Sequence, residues 1–298
     1  FILTLCLLLT ACAPAAETPE SPTRTEGPAA PADPAGVPPS LAEDEEPTVL
    51  TCRVVDGAED GNLLLAELDE GLYGGTGVYR LNVKDVPVTL DGEAAEPSVL
   101  EDGMAVDVAF NGHVLESFPA QLGEVYSVSA WSRGRGRNGG GTMFDLCGLY
   151  LQVLDDLWKK DPALNEDVSQ IALDLSRAPG ELTEGEKLAL VHRFGELHGV
   201  EAFAATFEEL EKQGYLTSEP LGNGAPEGAA FLHWEDGCLF SITPSEDHEG
   251  EDYSLPTLFF NAEKWRSSLG AYTFYDCSAM WPQGGTWTGY QIGSEMIS

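Results

Sequence analysis

The chain has 298 residues, 50 of them acidic against 15 basic, for a formal net charge of −35. At 43% hydrophobic and 9% aromatic it can bury one or two cores, since domains usually run about 100–200 residues, and a wholly disordered chain is excluded. A surface this acidic repels nucleic-acid backbones and anionic headgroups, so nucleic acid is excluded as a partner.

Residues 1–12 open with the apolar run Phe1 to Leu9. It is far shorter than the roughly 20 residues that cross a bilayer, and Pro14 and Glu17 follow at once. It reads as the h-region of a secretory signal peptide, with the charged n-region expected upstream of Phe1. Leu9-Thr10-Ala11-Cys12 resembles the lipobox of bacterial lipoproteins. That resemblance implies that Cys12 is acylated and becomes the mature N-terminus. The protein is then held at the cell membrane, on its extracytoplasmic face, by acyl chains worth about 0.8 kcal/mol per buried CH₂.

Residues 13–47 hold 9 of the 19 prolines, eight acids, one base (Arg24) and no aromatic residue. Such a segment cannot bury enough apolar surface to offset its ordering entropy, and it is expected to be a disordered tether. Taking those eight acids and one base from 50 and 15 leaves −28 on residues 48–298.

From Thr48 to Ala130 short β-branched runs alternate with turn residues, as in Thr48–Val55, Leu63–Leu68, Gly77–Val83, Val86–Leu90, Ala105–Phe110, Val114–Phe118 and Val125–Val128. Evenly spaced short strands predict a small β-barrel or sandwich over 48–130. Asp56, Asp60, Gly61 and Glu67 match positions 1, 5, 6 and 12 of a calcium loop, but Ala58 stands at position 3; a hairpin turn is the better reading. Gly103-Met104-Ala105-Val106-Asp107-Val108 and Asn111-Gly112…Glu116-Ser117-Phe118-Pro119-Ala120 resemble a passage in the small OB-like β-barrel domains of unknown function in Gram-positive lipoproteins. The resemblance covers about eighty residues and implies a fold rather than an activity.

Residues 131–143 form a Gly-rich linker carrying Arg133, Arg135 and Arg137. In residues 144–298, the spacing of Cys147, Tyr150, Leu151, Leu154, Leu157 and Trp158 predicts a helix. Asp167–Arg177 is expected to continue as a second helix. Thr183…Glu186 and Thr206…Glu209 are capping boxes opening further helices, stopped by Gly199 and Gly214. Strands are expected from Ala230, Cys238, Thr257, Ala271 and Thr286 onward. Helices followed by an antiparallel sheet make an α+β domain, with a cystatin-like helix wrapped by a curved sheet as the expected topology.

Among the cysteines outside the leader, free buried thiols are the commoner state for strand interiors; Cys238 and Cys277 fall on strands of one sheet region and are the possible disulfide. No HExxH, GxSxG, SxxK, Walker loop or CxxC occurs, and no cofactor, metal or catalytic residue is indicated. Residues 231–298 hold 13 of the 27 aromatics. Trp281, Trp287 and Tyr290 flank a Gly-rich turn and are candidates to stack on sugar rings or to form a packing cluster. Lys264, Arg266 and Asp276 are candidates to line a pocket beside them or to form ion pairs. The expectation is a lipid-anchored, non-catalytic binding or interaction module at the cell envelope, its partner an envelope protein or a glycan. The alternative is an extracytoplasmic hydrolase or glycan-binding protein, which requires a cleft in the second module where two carboxylates and aromatic faces converge.

Overall fold

A computed structural model describes residues 46–58, 60–68, 74–132, 146–222, 230–248, 257–281 and 287–298. The expected leader, Cys12, nearly all of the tether, the arginine run and the turn 282–285 lie outside the described residues.

Nine strands build the first sheet: β1 Thr48–Asp56, β2 Asn62–Glu67, β3 Val78–Asn82, β4 Val88–Leu90, β5 Glu93–Ala95, β6 Ala105–Phe110, β7 Val114–Leu115, β8 Ala120–Leu122 and β9 Val125–Ala130. Their order is β5-β4-β9-β6-β1-β2-β3-β8-β7. The end strands β5 and β7 do not pair, so the sheet is open where a barrel would close its ladder. It still encloses a core of Leu50, Cys52, Val54, Leu63, Leu65, Tyr79, Val106 and Phe110. Alternation along β1 sends Leu50, Cys52 and Val54 into that core and Arg53 and Val55 to the opposite face, and the register with β2 shifts between Val54 and Asp56. In β2, Leu63 and Leu65 face the same core while Leu64 and Ala66 face the other way, and all four are buried. A continuous apolar run is what a strand covered on both faces requires.

The covering layer is helical. In chain order there follow α1 Leu146–Lys159, β10 Gln170–Asp174, α2 Glu184–His198, β11 Glu201–Ala204, α3 Phe207–Gln213, β12 Thr217–Pro220, β13 Ala230–His233, β14 Gly237–Pro244, β15 Thr257–Ser267, β16 Gly270–Met280, β17 Thr288–Gln291 and β18 Ser294–Ile297. The second sheet runs β11-β10-β14-β15-β13-β12, with β16 added beside β15 and carrying β17 and β18. One large core joins Val55, Leu64, Ala66 and Val78 of the first sheet, the buried faces of α1 and α2, and Ile171, Leu173, Phe240, Phe260 and Phe274 of the second. Helices α1 and α2 are the middle layer of a sheet–helix–sheet sandwich, α3 packs on the outer face of the second sheet, and the architecture is mixed α+β, mostly sheet.

The segment expected as a second helix, Asp167–Arg177, contains strand β10, parallel to both β11 and β14. Ile171 and Leu173 face the helices while Ala172 faces a smaller core on the other side. A short strand buried on both faces has no period to distinguish it from a helix. Helices and strands therefore interleave, and β10-α2-β11 is a parallel βαβ unit; β10 also pairs β14 in parallel, and the remaining pairings of the sheet are antiparallel.

The N-terminus of α2 abuts the first sheet. Thr183 and Glu186 form the expected capping box: Glu186 Nα donates to Thr183 Oγ1 at 3.1 Å and Thr183 N donates to Glu186 Oε2 at 2.8 Å. The remaining oxygen, Glu186 Oε1, takes a bond from Arg53 Nε at 3.0 Å, the two side chains being only 2% and 7% exposed. Arg53 Nη1 also donates to Gly103 O at 3.1 Å, and Thr183 Oγ1 to Glu67 O at 3.0 Å. Gly185 N donates to Gly75 O at 2.7 Å, and a Cβ on Gly185 would stand 2.9 Å from Gly77 O. Only glycine fits that approach.

Removing one member of a buried pair leaves the other charge uncompensated. Glu186→Gln can still cap the helix, so it isolates the charge; we expect it to lower the unfolding free energy by about 3 kcal/mol in urea titration. Gly185→Ala is expected to destabilise as well, by forcing α2 away from the sheet.

Candidate functional site

Strand alternation gives the second sheet two faces of opposite character. Lys264 and Arg266 point to the helix side. The Lys264 ammonium is buried and donates to Asp161 O at 3.2 Å, Asn165 Oδ1 at 3.1 Å, Trp158 O at 3.4 Å and the Lys160 carbonyl. Arg266 Nη1 donates to Leu164 O at 3.1 Å and Glu166 O at 2.6 Å, and its Nη2 to Glu235 O at 2.6 Å. Both cations close the carbonyls that α1 and the turn after it leave open. They hold backbone oxygens, in place of the pocket or ion pairs expected of them. Burial lowers the Lys264 ammonium to about 8.

The aromatic candidates also serve packing. Trp281 is buried and meets Trp287 edge to face, with ring centroids 5.6 Å apart. Trp287 and Tyr290 lie against the helix-side core. Trp287 Nε1 and Tyr290 Oη are buried with no hydrogen-bond partner among the described residues, and burial raises the Tyr290 phenol.

Cys238 and Cys277 are separate buried thiols. The register Leu239↔Trp265 sets Cys238 beside Arg266 at one end of β15, whereas Cys277 faces Phe260 near the other. Six residues of strand, about 20 Å, separate those positions, where a disulfide needs Cα atoms within about 7 Å. The possible bridge is corrected to two free thiols, the commoner state for strand interiors. Cys238 Sγ donates to Leu164 O at 3.1 Å, and burial pushes the two thiols up to about 11 and about 12.

The calcium-like residues diverge as the hairpin reading requires. Asp56 pairs with Arg193 at 3.1 Å, Asp60 accepts from Asn62 N at 2.9 Å, and Glu67 accepts from Gly77 N at 3.1 Å. A cavity of about 1010 Å³ lies over this hairpin. Its arginines are already neutralised, Arg193 by Asp56 and Arg80 by Glu196 at 2.6 Å.

The opposite face of the second sheet is different. Register carries one row of neighbours across it, Asp174↔Ser241↔Glu263↔Thr273. The adjacent row places Ala172, Leu239 and Trp265 under α3, whose Phe207 meets Trp265 edge to face at 5.0 Å. Because α3 has only seven residues, ended by left-handed Gly214 at φ 83°, it covers that apolar end and leaves the polar row open. The polar face continues through Thr243 and Asn261 to Asp276. Asp276, expected beside Lys264, sits here instead, accepting from Ser245 Oγ at 2.6 Å with His248 Nε2 4.0 Å away. Its backbone is left-handed at φ 50°, in the irregularity of the β15–β16 ladder, and its N–H donates to Asn261 Oδ1 at 2.9 Å.

A cleft of about 430 Å³ opens over the row, its charged and aromatic lining being Asp174, Arg177, Phe207, Glu208, Glu263 and Trp265. A second cavity of about 330 Å³ shares Asp174, Ser176 and Thr206 with it and reaches the first turn of α2. The place is set by topology. From β10 the chain crosses through α2 to β11 on one side, while parallel β14 lies on the other, so the strand order reverses at β10. Ligands of open α/β sheets bind in the crevice beyond the carboxyl ends of the strands at such a point.

Within the cleft Asp174 Oδ1 accepts from Ser176 N at 3.0 Å and from Ser176 Oγ at 2.6 Å. Glu263 has no hydrogen bond or ion pair among the described residues, and burial alone raises its carboxyl above the ordinary glutamate range. A half-buried carboxylate without a partner is a functional candidate because it costs stability that packing does not return. Sequence reasoning missed it. The alternation Asn261, Glu263, Trp265 against Ala262, Lys264, Arg266 carried the signal, but the cations on the other face drew attention. Asp174, Ser176 and Arg177 were hidden in the segment read as helix.

The folded chain holds the Glu263 proton to higher pH than the unfolded chain does. This carboxyl therefore destabilises the fold above its folded value and ceases to do so below the ordinary glutamate range. Glu263→Gln is expected to raise the melting temperature at pH 7 by on the order of 2 °C, and the gain should vanish on acidification through that window. No protein-family model, curated protein or solved structure matches the chain.

Proposed function

We propose that the protein is a lipid-anchored, extracytoplasmic protein of the cell envelope that binds a glycan across the open face of its second sheet. The observation that carries the binding site is the cleft at the β10–β14 switch point. It combines the hydrogen-bonding side chains of Asp174, Ser241, Thr243 and Glu263 with an apolar wall of Trp265 and Phe207. Sugar rings ask for that mixture, hydroxyl partners along the rim and an aromatic surface for the C–H faces. The second module supplies the carboxylates and aromatics that a glycan reading requires, on residues other than Trp281, Trp287 and Tyr290. Location and anchoring rest on the apolar run and Leu9-Thr10-Ala11-Cys12.

The OB-like reading of the first sheet is part of this proposal, supported by its curled form around a single core. A cystatin-like reading is supported by α1 lying across the antiparallel strands β14–β16 and does not extend to parallel β10 and β11.

Mass spectrometry of the membrane fraction should find Cys12 acylated, and Cys12→Ala should release the protein from membranes; a variant that stays bound refutes the anchor. In titrations of the full chain with cellohexaose, chitohexaose and deacetylated chitohexaose, at least one should bind, and Trp265→Ala should weaken it at least about 10-fold, as loss of a stacking residue does.

A further inference from the structure

We propose that Glu263 and Asp174 are the acid and the base of a glycoside hydrolase that works with inversion at the anomeric carbon. The proposal rests on the glycan-binding reading of the same cleft and adds a reaction to it. Both residues project from one sheet face in one cross-strand row, with Ser241 between them. They are two strand spacings apart, so their backbones stand about 9.5 Å from each other. In inverting pairs the two carboxyl groups are about 6.5–9.5 Å apart, a separation that side chains standing side by side on backbones so spaced can reach and that leaves room for a water beside the sugar, whereas the carboxyls of retaining pairs stand about 5 Å apart. The small Ser241 side chain keeps the gap between the two carboxyls open. A longer residue there would fill the space that the water and the anomeric carbon need.

Roles follow from the surroundings. Glu263 has no hydrogen-bond or ion-pair partner among the described residues, and its desolvated carboxyl retains a proton to higher pH than an exposed glutamate does, as a general acid must. Asp174 already accepts two hydrogen bonds on Oδ1 from Ser176, which fix its rotamer and leave Oδ2 to take a proton. In the reaction Glu263 gives its proton to the glycosidic oxygen as the bond from that oxygen to C1 breaks. The electron pair of the broken bond stays on the leaving oxygen. Asp174 takes a proton from the water whose oxygen forms the new bond to C1. One water is consumed, and solvent returns the proton from Asp174 to Glu263.

Charge narrows the substrate. The cleft carries Asp174, Glu208 and Glu263 against Arg177, on a chain of net charge −35. Uronate and phosphate polymers are repelled, while neutral sugars and cationic, N-deacetylated amino sugars are admitted. The apolar wall of Trp265 and Phe207, two positions along the face from the Ser241 row, is placed to hold a ring against the pair.

The experiment incubates the full chain with cellohexaose, chitohexaose and deacetylated chitohexaose. Proton NMR follows the configuration of the first product, and titration calorimetry follows binding. Cleavage of at least one oligomer, with the anomeric configuration inverted, is expected. Glu263→Gln and Asp174→Asn should each lower kcat at least about 100-fold while leaving the dissociation constant within about 3-fold. Both replacements are nearly isosteric and the first is expected to stabilise the fold, so loss of turnover will not reflect unfolding. Binding without cleavage overturns the catalytic pair and leaves the binding reading standing. Failure to bind any of the three overturns both. Retained configuration, or turnover that survives either substitution, overturns the assignment of these two residues.

Discussion

The Glu186 carboxylate is the constraint on which the rest of the fold depends. It is one residue of a helix cap and at the same time the counter-ion of Arg53 in the neighbouring sheet. Two charges taken out of water are a poor source of stability in themselves, because desolvation consumes most of their attraction. Here each charge has a further partner, Thr183 N for Glu186 and Gly103 O for Arg53, so neither is left open. The benefit is positional. The cap orients α2, the ion pair and the bare backbone of Gly185 seat it against the first sheet, and α2 in turn fixes the crossover from β10 to β11. The crevice at the carboxyl end of β10 is thereby held by an interaction on the far side of the helical layer.

The open face of the second sheet owes its existence to an asymmetry of cover. On one side α1 and α2 present long apolar surfaces that fill the space between two sheets. On the other, α3 is seven residues long and buries only Leu210 completely. Beyond its reach the sheet keeps hydroxyls, an amide and carboxylates. Glu263 is the member of that face for which the fold provides no compensation, and the stability given up there is the mark of a site shaped for something else.

Legibility in the sequence followed the strength of local rules. Thr183…Glu186 and Thr206…Glu209 could be read directly, because a capping box is a contact between residues three apart and needs no tertiary help. The hairpin of β1 and β2 was legible for the same reason. Ile171-Ala172-Leu173 was not, since a strand buried on both faces presents no period, and with it went the parallel unit and Asp174. Glu263 was written in plain alternation, yet nothing local distinguishes a solvated acid from one facing a half-covered cleft. Lys264 and Arg266 stand out as rare cations, although most of their partners are backbone carbonyls about 100 residues away that carry no side-chain signature. The possible disulfide could not be decided from sequence, because sharing a sheet says nothing about position along a strand.

The place of β1 in its sheet has a mechanical consequence. It is the first strand after the proline-rich segment, paired with β6 on one edge over Thr48–Arg53 and with β2 on the other over Cys52–Asp56. A pull transmitted through an anchored N-terminus would run along this strand, parallel to its axis and across hydrogen bonds on both edges. Those bonds must then shear together, where a strand peeled from a sheet edge gives them up one at a time. A protein held to a surface by that end would resist drag with the centre of its first sheet.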